Sequence, residues 1–236
     1  MNFPSHKYTT GRYFQDNPTW DQEDSAWKAE LVSRMLERHG LNPSGIVEVG
    51  CGAAGVLAGL RRKYPLADLV GYDIAPDAAR FWCAYEGQNI TLKVGDFLKV
   101  VTERFDVMLL LDVIEHIVDP FGFLTALHGR AGHYVIHLPL DLSASSVLRE
   151  APLLYSRHKV GHIHYFTKGL ALSLLEECGF EVIEARYTGA AFSTPQKSWR
   201  TRLAILPRYL AYRIDRDLGA RLFGGETLLL LAKSRD

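Results

Sequence analysis

The chain has little of several things that would classify it at once. Its 236 residues include only three cysteines, Cys51, Cys83 and Cys178, odd in number and far apart. Such spacing supports neither a disulfide framework nor a cysteine metal centre; it fits a reducing compartment, so a cytoplasmic location is expected. No run reaches the roughly 18 apolar residues that a membrane span needs. The first residues, MNFPSHKYTTGRYFQDNPTW, are polar where a secretory signal would be apolar. An excess of one charge is missing too, since Lys+Arg and Asp+Glu are both 27. A neutral chain with no appended RNA-binding module generates no field that would gather nucleic acid. Internal repeats and low-complexity tracts are absent as well.

The chain does have a core-forming composition, 47% hydrophobic and 23% charged, enough for one domain with additions. From Asp24 or Ser25, apolar residues Trp27, Leu31, Met35 and Leu36 recur at helical spacing up to Gly40. Strand and helix patterns then alternate. GIVEVG, DLVGYDI, ITLKVGD, FDVMLLLDV and HYVIHLPL read as five strands. VLAGLRRKYP, PDAARFWCAYEG, DPFGFLTALHGRA and TKGLALSLLEECG read as helices among and after them. EVIEARY and ETLLLLA complete seven strands. This predicts a doubly wound, mostly parallel α/β sheet. The expected division is a segment and helix over 1–40, a ligand-binding core over 41–187, a basic helical insertion over 188–224 and a last strand over 225–236.

The stretch VEVGCGAAG carries Gly50, Gly52 and Gly55 in the G-x-G-x-x-G spacing that lets a backbone approach a dinucleotide. Glu48, two residues before the first glycine, would repel a pyrophosphate and attract a cation. Acidic residues also follow the second and third strands, Asp73 in VGYDIAP and Asp96 in VGDF. The fourth strand runs into LDVIEHIVDPFGFL. Together, over roughly residues 45–187, these motifs resemble the class I S-adenosylmethionine-dependent methyltransferases, in particular their ubiquinone-biosynthesis-like branch.

The resemblance implies a Rossmann-like methyltransferase fold and S-adenosyl-L-methionine as cofactor. It implies that Gly50, Cys51, Gly52 and Gly55 form the cofactor loop and that Asp73 accepts hydrogen bonds from the ribose hydroxyls. Asp96 would receive the adenine amino group, with Ile74 or Phe97 against the ring. Asp112 and Val113 would lie along the methionine moiety, and Glu48 would favour its cationic end. The first 24 residues, aromatic and interrupted by Pro4, Gly11 and Pro18, read as an irregular lid.

His116, His137 and His164 are the candidates for a general base, because each falls at or beyond a strand end where an acceptor would arrive. No metal is expected, since the His162 and His164 pair with His158 names no fourth ligand. In the insertion, Leu203, Leu206, Leu210, Ile214 and Leu218 recur every three or four residues, interleaved with arginines. Such a stripe caps the sheet edge or makes peripheral membrane contact through 197–221. The acceptor is expected to be a small molecule, methylated on oxygen: a sugar, a lipid-linked compound or a secondary metabolite. Two other readings stay open. One is an NAD(P)-dependent oxidoreductase, whose Tyr-x-x-x-Lys pair occurs once, at Tyr155 and Lys159. The other is a non-catalytic S-adenosylmethionine-binding protein.

Overall fold

The computed structural model describes residues 6–193 and 205–235. All seven expected strands form: β1 (Gly45–Val49), β2 (Asp68–Asp73), β3 (Ile90–Val94), β4 (Phe105–Leu111), β5 (Ala131–Leu140), β6 (Phe180–Tyr187) and β7 (Glu226–Ser234). They make one sheet in the order β3-β2-β1-β4-β5-β7-β6. The first five strands are parallel, and β7 runs antiparallel to both β5 and β6. The sequence order reverses between β1 and β4. At such a switch point an open sheet leaves a crevice beyond the carboxyl ends of its strands.

Strand periodicity explains why β4 is almost wholly apolar. Met108 and Leu110 face one hydrophobic cluster, while Val107, Leu109 and Leu111 face the other. Alternate side chains point to opposite faces, so a strand covered on both sides needs apolar residues throughout. β7 repeats the pattern, with Leu228 and Leu230 on one face and Leu229 and Leu231 on the other. The helix Ser25–Arg38 packs on the second face through Ala29, Val32, Met35 and Leu36. Its close approach to the helix Gly55–Lys63 depends on Gly59, where a Cβ would stand 2.6 Å from that of Ala29.

Three local expectations are corrected. Residues before Ser25 are not irregular throughout, since His6–Thr9 and Arg12–Asp16 are short helices. The stretch Pro76–Tyr85 winds as a tight 3₁₀ helix rather than an α-helix. In the insertion, Ile205–Ile214 and Arg216–Phe223 are helical, but the expected apolar stripe does not cover the sheet. Leu210 and Ile214 are 52% and 83% exposed, and Tyr212 and Ala220 are buried instead. Leu203 and Arg200 lie outside the described residues.

Tyr134 of β5 joins the central sheet to the helix Pro120–Leu127. Fully buried, it donates to Leu127 O at 2.6 Å and accepts from Ala131 N at 3.0 Å. Tyr134→Phe should destabilise the fold by about 1–3 kcal/mol, because both backbone partners lose their bond while packing is kept. Urea unfolding monitored by circular dichroism checks this, and an unchanged midpoint would refute it.

Candidate active site

The carboxyl ends of β1, β4 and β5 open into a cavity of about 640 Å³. Glu48, Gly50, Cys51, Gly52, Gly55, Asp112, His116 and His137, all anticipated from the sequence, line it. So do Lys28, Glu115, Asp141 and His162, which sequence reasoning did not assign.

The glycine loop owes its shape to backbone that few side chains would allow. Gly50 has φ of +77°, and a Cβ there would meet Val113 Cγ2 at 2.7 Å. Gly52 has φ of +50° and donates its N–H to Asp73 Oδ2 at 2.7 Å. Asp73 Oδ1 accepts from Ala75 N at 2.8 Å. Asp73 is therefore the buckle of the loop, buried behind it, and burial raises its carboxyl above the usual range. The indole of Trp20 covers Gly52, with Nε1 2.7 Å from where a Cβ would be. Trp20 and Asp21 both have positive φ, a rare conformation that turns the N-terminal segment over the loop.

A buried ion network closes the sheet side. Lys28 Nζ lies 2.7 Å from Asp112 Oδ2, and Asp112 Oδ1 lies 2.6 Å from His137 Nδ1. The far nitrogen of His137 contacts Thr227 Oγ1 at 2.8 Å, which in turn meets Thr188 Oγ1 at 2.5 Å. Burial works against the charge on Asp112, but His137 and Lys28 outweigh it and hold the carboxyl well below the usual range. Asp112 has φ of +55°, so this network fixes a strained backbone at the tip of β4.

Of the three anticipated histidines, His116 and His137 reach the cavity. Both nitrogens of His137 are committed. His116 keeps Nε2 unbonded among the described residues, and burial, with His162 nearby, pushes its value down to about 4, so it is neutral. His164 does not line the cavity; its Nε2 is buried without a partner. Phe97 is corrected: it is buried in the core, its ring 5.5 Å from that of Tyr72, while Ile74 is 41% exposed. Asp96 caps the short helix Phe97–Val100 and pairs with Lys99 at 3.2 Å, and neither Ile74 nor Asp96 lines the cavity. Tyr155 and Lys159 sit on helical turns, and neither lines the cavity.

The lining is strongly acidic. Asp21, Asp24, Glu48, Asp112, Glu115, Asp141 and Glu226 contribute carboxyls, and Lys28 alone among the described lining residues carries a fixed positive charge. Such walls repel a pyrophosphate and suit a ligand bearing ammonium and sulfonium charges. Glu48 is 3% exposed, with Oε2 unpaired, so a cation would relieve it.

Comparison with known proteins agrees with this geometry. Residues 20–185 match a family model described as a methyltransferase domain. A ubiquinone biosynthesis O-methyltransferase of Cereibacter sphaeroides is 36% identical over 86 residues. That match spans only about a third of each protein, 34% of this chain and 34% of the relative. A chain of the complex between the Haloferax volcanii Trm112 methyltransferase activator and a methyltransferase superposes with a TM-score of 0.67 at 17% identity, covering 100% of this chain and 98% of that one. The plantazolicin methyltransferase BpumL, solved in complex with S-adenosylhomocysteine, superposes with a TM-score of 0.58 at 16% identity, over 96% and 89% of the two chains.

Burial raises Glu48 from 4.5 to about 8, against the pull of Lys28. The fold thus holds this proton more tightly than the unfolded chain does. Stability from the protonated group is full below about pH 4.5 and is lost as pH rises through about 8. Over that interval the ligand-free chain should lose on the order of 5 kcal/mol from this residue. Glu48→Gln should flatten the decline in thermal unfolding temperature over the same range, and parallel declines would refute the assignment. By fold, by motif and by the match over residues 20–185, the chain belongs to the methyltransferase domain family, as a class I S-adenosylmethionine-dependent methyltransferase.

Proposed function

We propose that the protein methylates a hydroxyl oxygen of a small acceptor without negative charge: a sugar, a lipid-linked compound or a secondary metabolite. The observation that carries this reading is the corner opposite the glycine loop. There the side chains of Glu115, His116 and His162 come together, and neither Glu115 oxygen has a hydrogen-bond partner among the described residues. An acceptor hydroxyl is a donor of the right kind. The acidic walls argue against a phosphorylated or nucleotide-linked acceptor, and the arginines described in 205–223 line none of the cavity. The likeness to ubiquinone biosynthesis O-methyltransferases supports oxygen as the atom methylated.

The cofactor supplies an electrophilic methyl group when bound. The chain has to align the acceptor, exclude water and favour loss of the acceptor proton. Lys28, Asp112 and His137 hold the strand tips rigid for that alignment. The N-terminal segment acts as the lid. Lys7 Nζ donates to His158 O and Lys159 O at 2.8 and 2.6 Å, and Tyr13 and Trp20 line the cavity from above. Trp20 rests on Gly52, so the lid lifts to admit the adenosyl end. Free Cys51, Cys83 and Cys178 fit a cytoplasmic site of action.

Incubation with S-adenosylmethionine and a panel of neutral phenols, sugars and amines should yield S-adenosylhomocysteine with hydroxyl acceptors. Methylation of amines alone would overturn the choice of oxygen; uptake of NADH with indifference to S-adenosylmethionine would overturn the whole reading. Asp112→Asn keeps a residue that tolerates positive φ but removes the charge. It should lower kcat/KM by about 100-fold, the scale of a small misplacement at a reacting centre.

The exposed face of the insertion supports peripheral membrane contact. Tyr209, Leu210, Ile214, Leu218 and Leu222 are exposed on helices that also carry Arg213, Arg216 and Arg221. No helix among the described residues is long and apolar enough to cross a membrane, so contact would be at the surface. The chain should co-sediment with vesicles of anionic phospholipid, and Leu210→Glu with Ile214→Glu should abolish this. A wild-type chain that stays in the supernatant would refute it.

A further inference from the structure

Glu115 lies at the bottom of the acceptor corner, fully buried, where an unpaired carboxyl is costly. Neither oxygen has a well-formed hydrogen bond among the described residues, and only its own backbone N–H leans toward it. Two imidazole nitrogens face it, His116 Nε2 and His162 Nε2, each 4.0 Å from Oε1. At that distance a proton joins neither pair.

The rings are oriented from their other side. His162 Nδ1 is 2.6 Å from Asp141 Oδ2, and His116 Nδ1 is 3.1 Å from Gly161 O. Asp141 Oδ2 accepts only, so His162 Nδ1 carries a hydrogen in that contact, and His116 Nδ1 can donate to Gly161 O in the same way. The Tyr8 hydroxyl stands 2.8 Å from His116 Nδ1 and 3.4 Å from Val160 O. With Nδ1 as the donor on its far side, each imidazole turns an Nε2 lone pair inward. One atom from each of Glu115, His116 and His162 lies within 4.8 Å of the other two, and each is of a type that ligates metals.

We propose that Glu115, His116 and His162 bind a divalent transition-metal ion at the wall of the cavity. Two imidazoles and one carboxylate favour zinc, cobalt, manganese or ferrous iron over magnesium or calcium. Around a four-coordinate ion with bonds of about 2.0–2.1 Å, ligand atoms stand about 3.3 Å apart, so the two imidazoles each move toward Glu115 by about 0.7 Å, and no pair has to close by more than about 1.5 Å. Asp141 supplies the outer carboxylate that ligating histidines commonly have, fixing tautomer and orientation. All three ligands line the cavity, leaving the remaining positions open to water or an acceptor oxygen. Acidification of that oxygen rests on the reading of the acceptor as a hydroxyl; the metal site does not.

Tag-free full-length protein, stripped with chelator and dialysed against Co²⁺ or Zn²⁺, tests the site without any turnover. Elemental analysis should find about one ion per chain, and bound Co²⁺ should show a visible absorption band. Glu115→Gln and His162→Ala should each weaken binding by at least about 100-fold. Asp141→Asn, which leaves all three ligands in place, should weaken it by about 10-fold. His164→Ala, outside the cavity, should bind as wild type does. Circular dichroism establishes that each variant is folded. Less than about 0.1 ion per chain in the wild type, or equal uptake by folded Glu115→Gln and His162→Ala chains, would overturn the proposal. Failure here with normal S-adenosylhomocysteine production would leave the methyltransferase reading intact.

Discussion

Carboxyls converging on a cavity whose described lining holds a single lysine set the terms for the rest of the molecule. Like charges brought into a poorly solvated space repel one another, and each must be paired, protonated or matched by a ligand. Two of these outcomes are seen. Asp112 is paired, to Lys28 and His137. Glu48 and Glu115 are raised by burial toward the protonated form. What is left over is an attraction for cations, which suits a sulfonium ligand and not a pyrophosphate.

The pairing of Lys28 with Asp112 also joins three parts of the chain. Lys28 belongs to the helix Ser25–Arg38, Asp112 follows β4, and His137 is in β5. A buried pair of this kind adds little net stability, since desolvation offsets most of the attraction. Its effect is positional: it places the helix that leads out of the N-terminal segment against the tips of the central strands. Trp20 then comes to rest on Gly52 and Ser25 against Gly55. Cover and floor of the cavity are thus set by one network.

Much of this was legible in the residues. The apolar run of β4, the three glycines and the acids at strand ends announce the sheet and its loop, because periodicity and backbone freedom are local properties. Glu48 was legible for the same reason: an acid two residues before the loop must sit at the strand tip. The misses are equally physical. Phe97 follows the third strand as a ring-stacking residue would, but the turn capped by Asp96 rotates it into the core beside Tyr72. The leucines of the insertion have helical spacing, yet spacing does not say which face meets the sheet, and Tyr212 took that place.

The sequence by itself determined the fold class, the position of the glycine loop and the sign of charge around it, since each follows from neighbours within a few residues. Only the tertiary structure decided which ionisable groups meet. Glu115 and His162 are 47 positions apart, yet the crossing from β5 to the helix Lys168–Glu177 carries His162 back over β4, with Ile163 N and His164 N donating to Glu115 O. Lone pairs become neighbours through that return of the chain, and no local pattern of residue types records it.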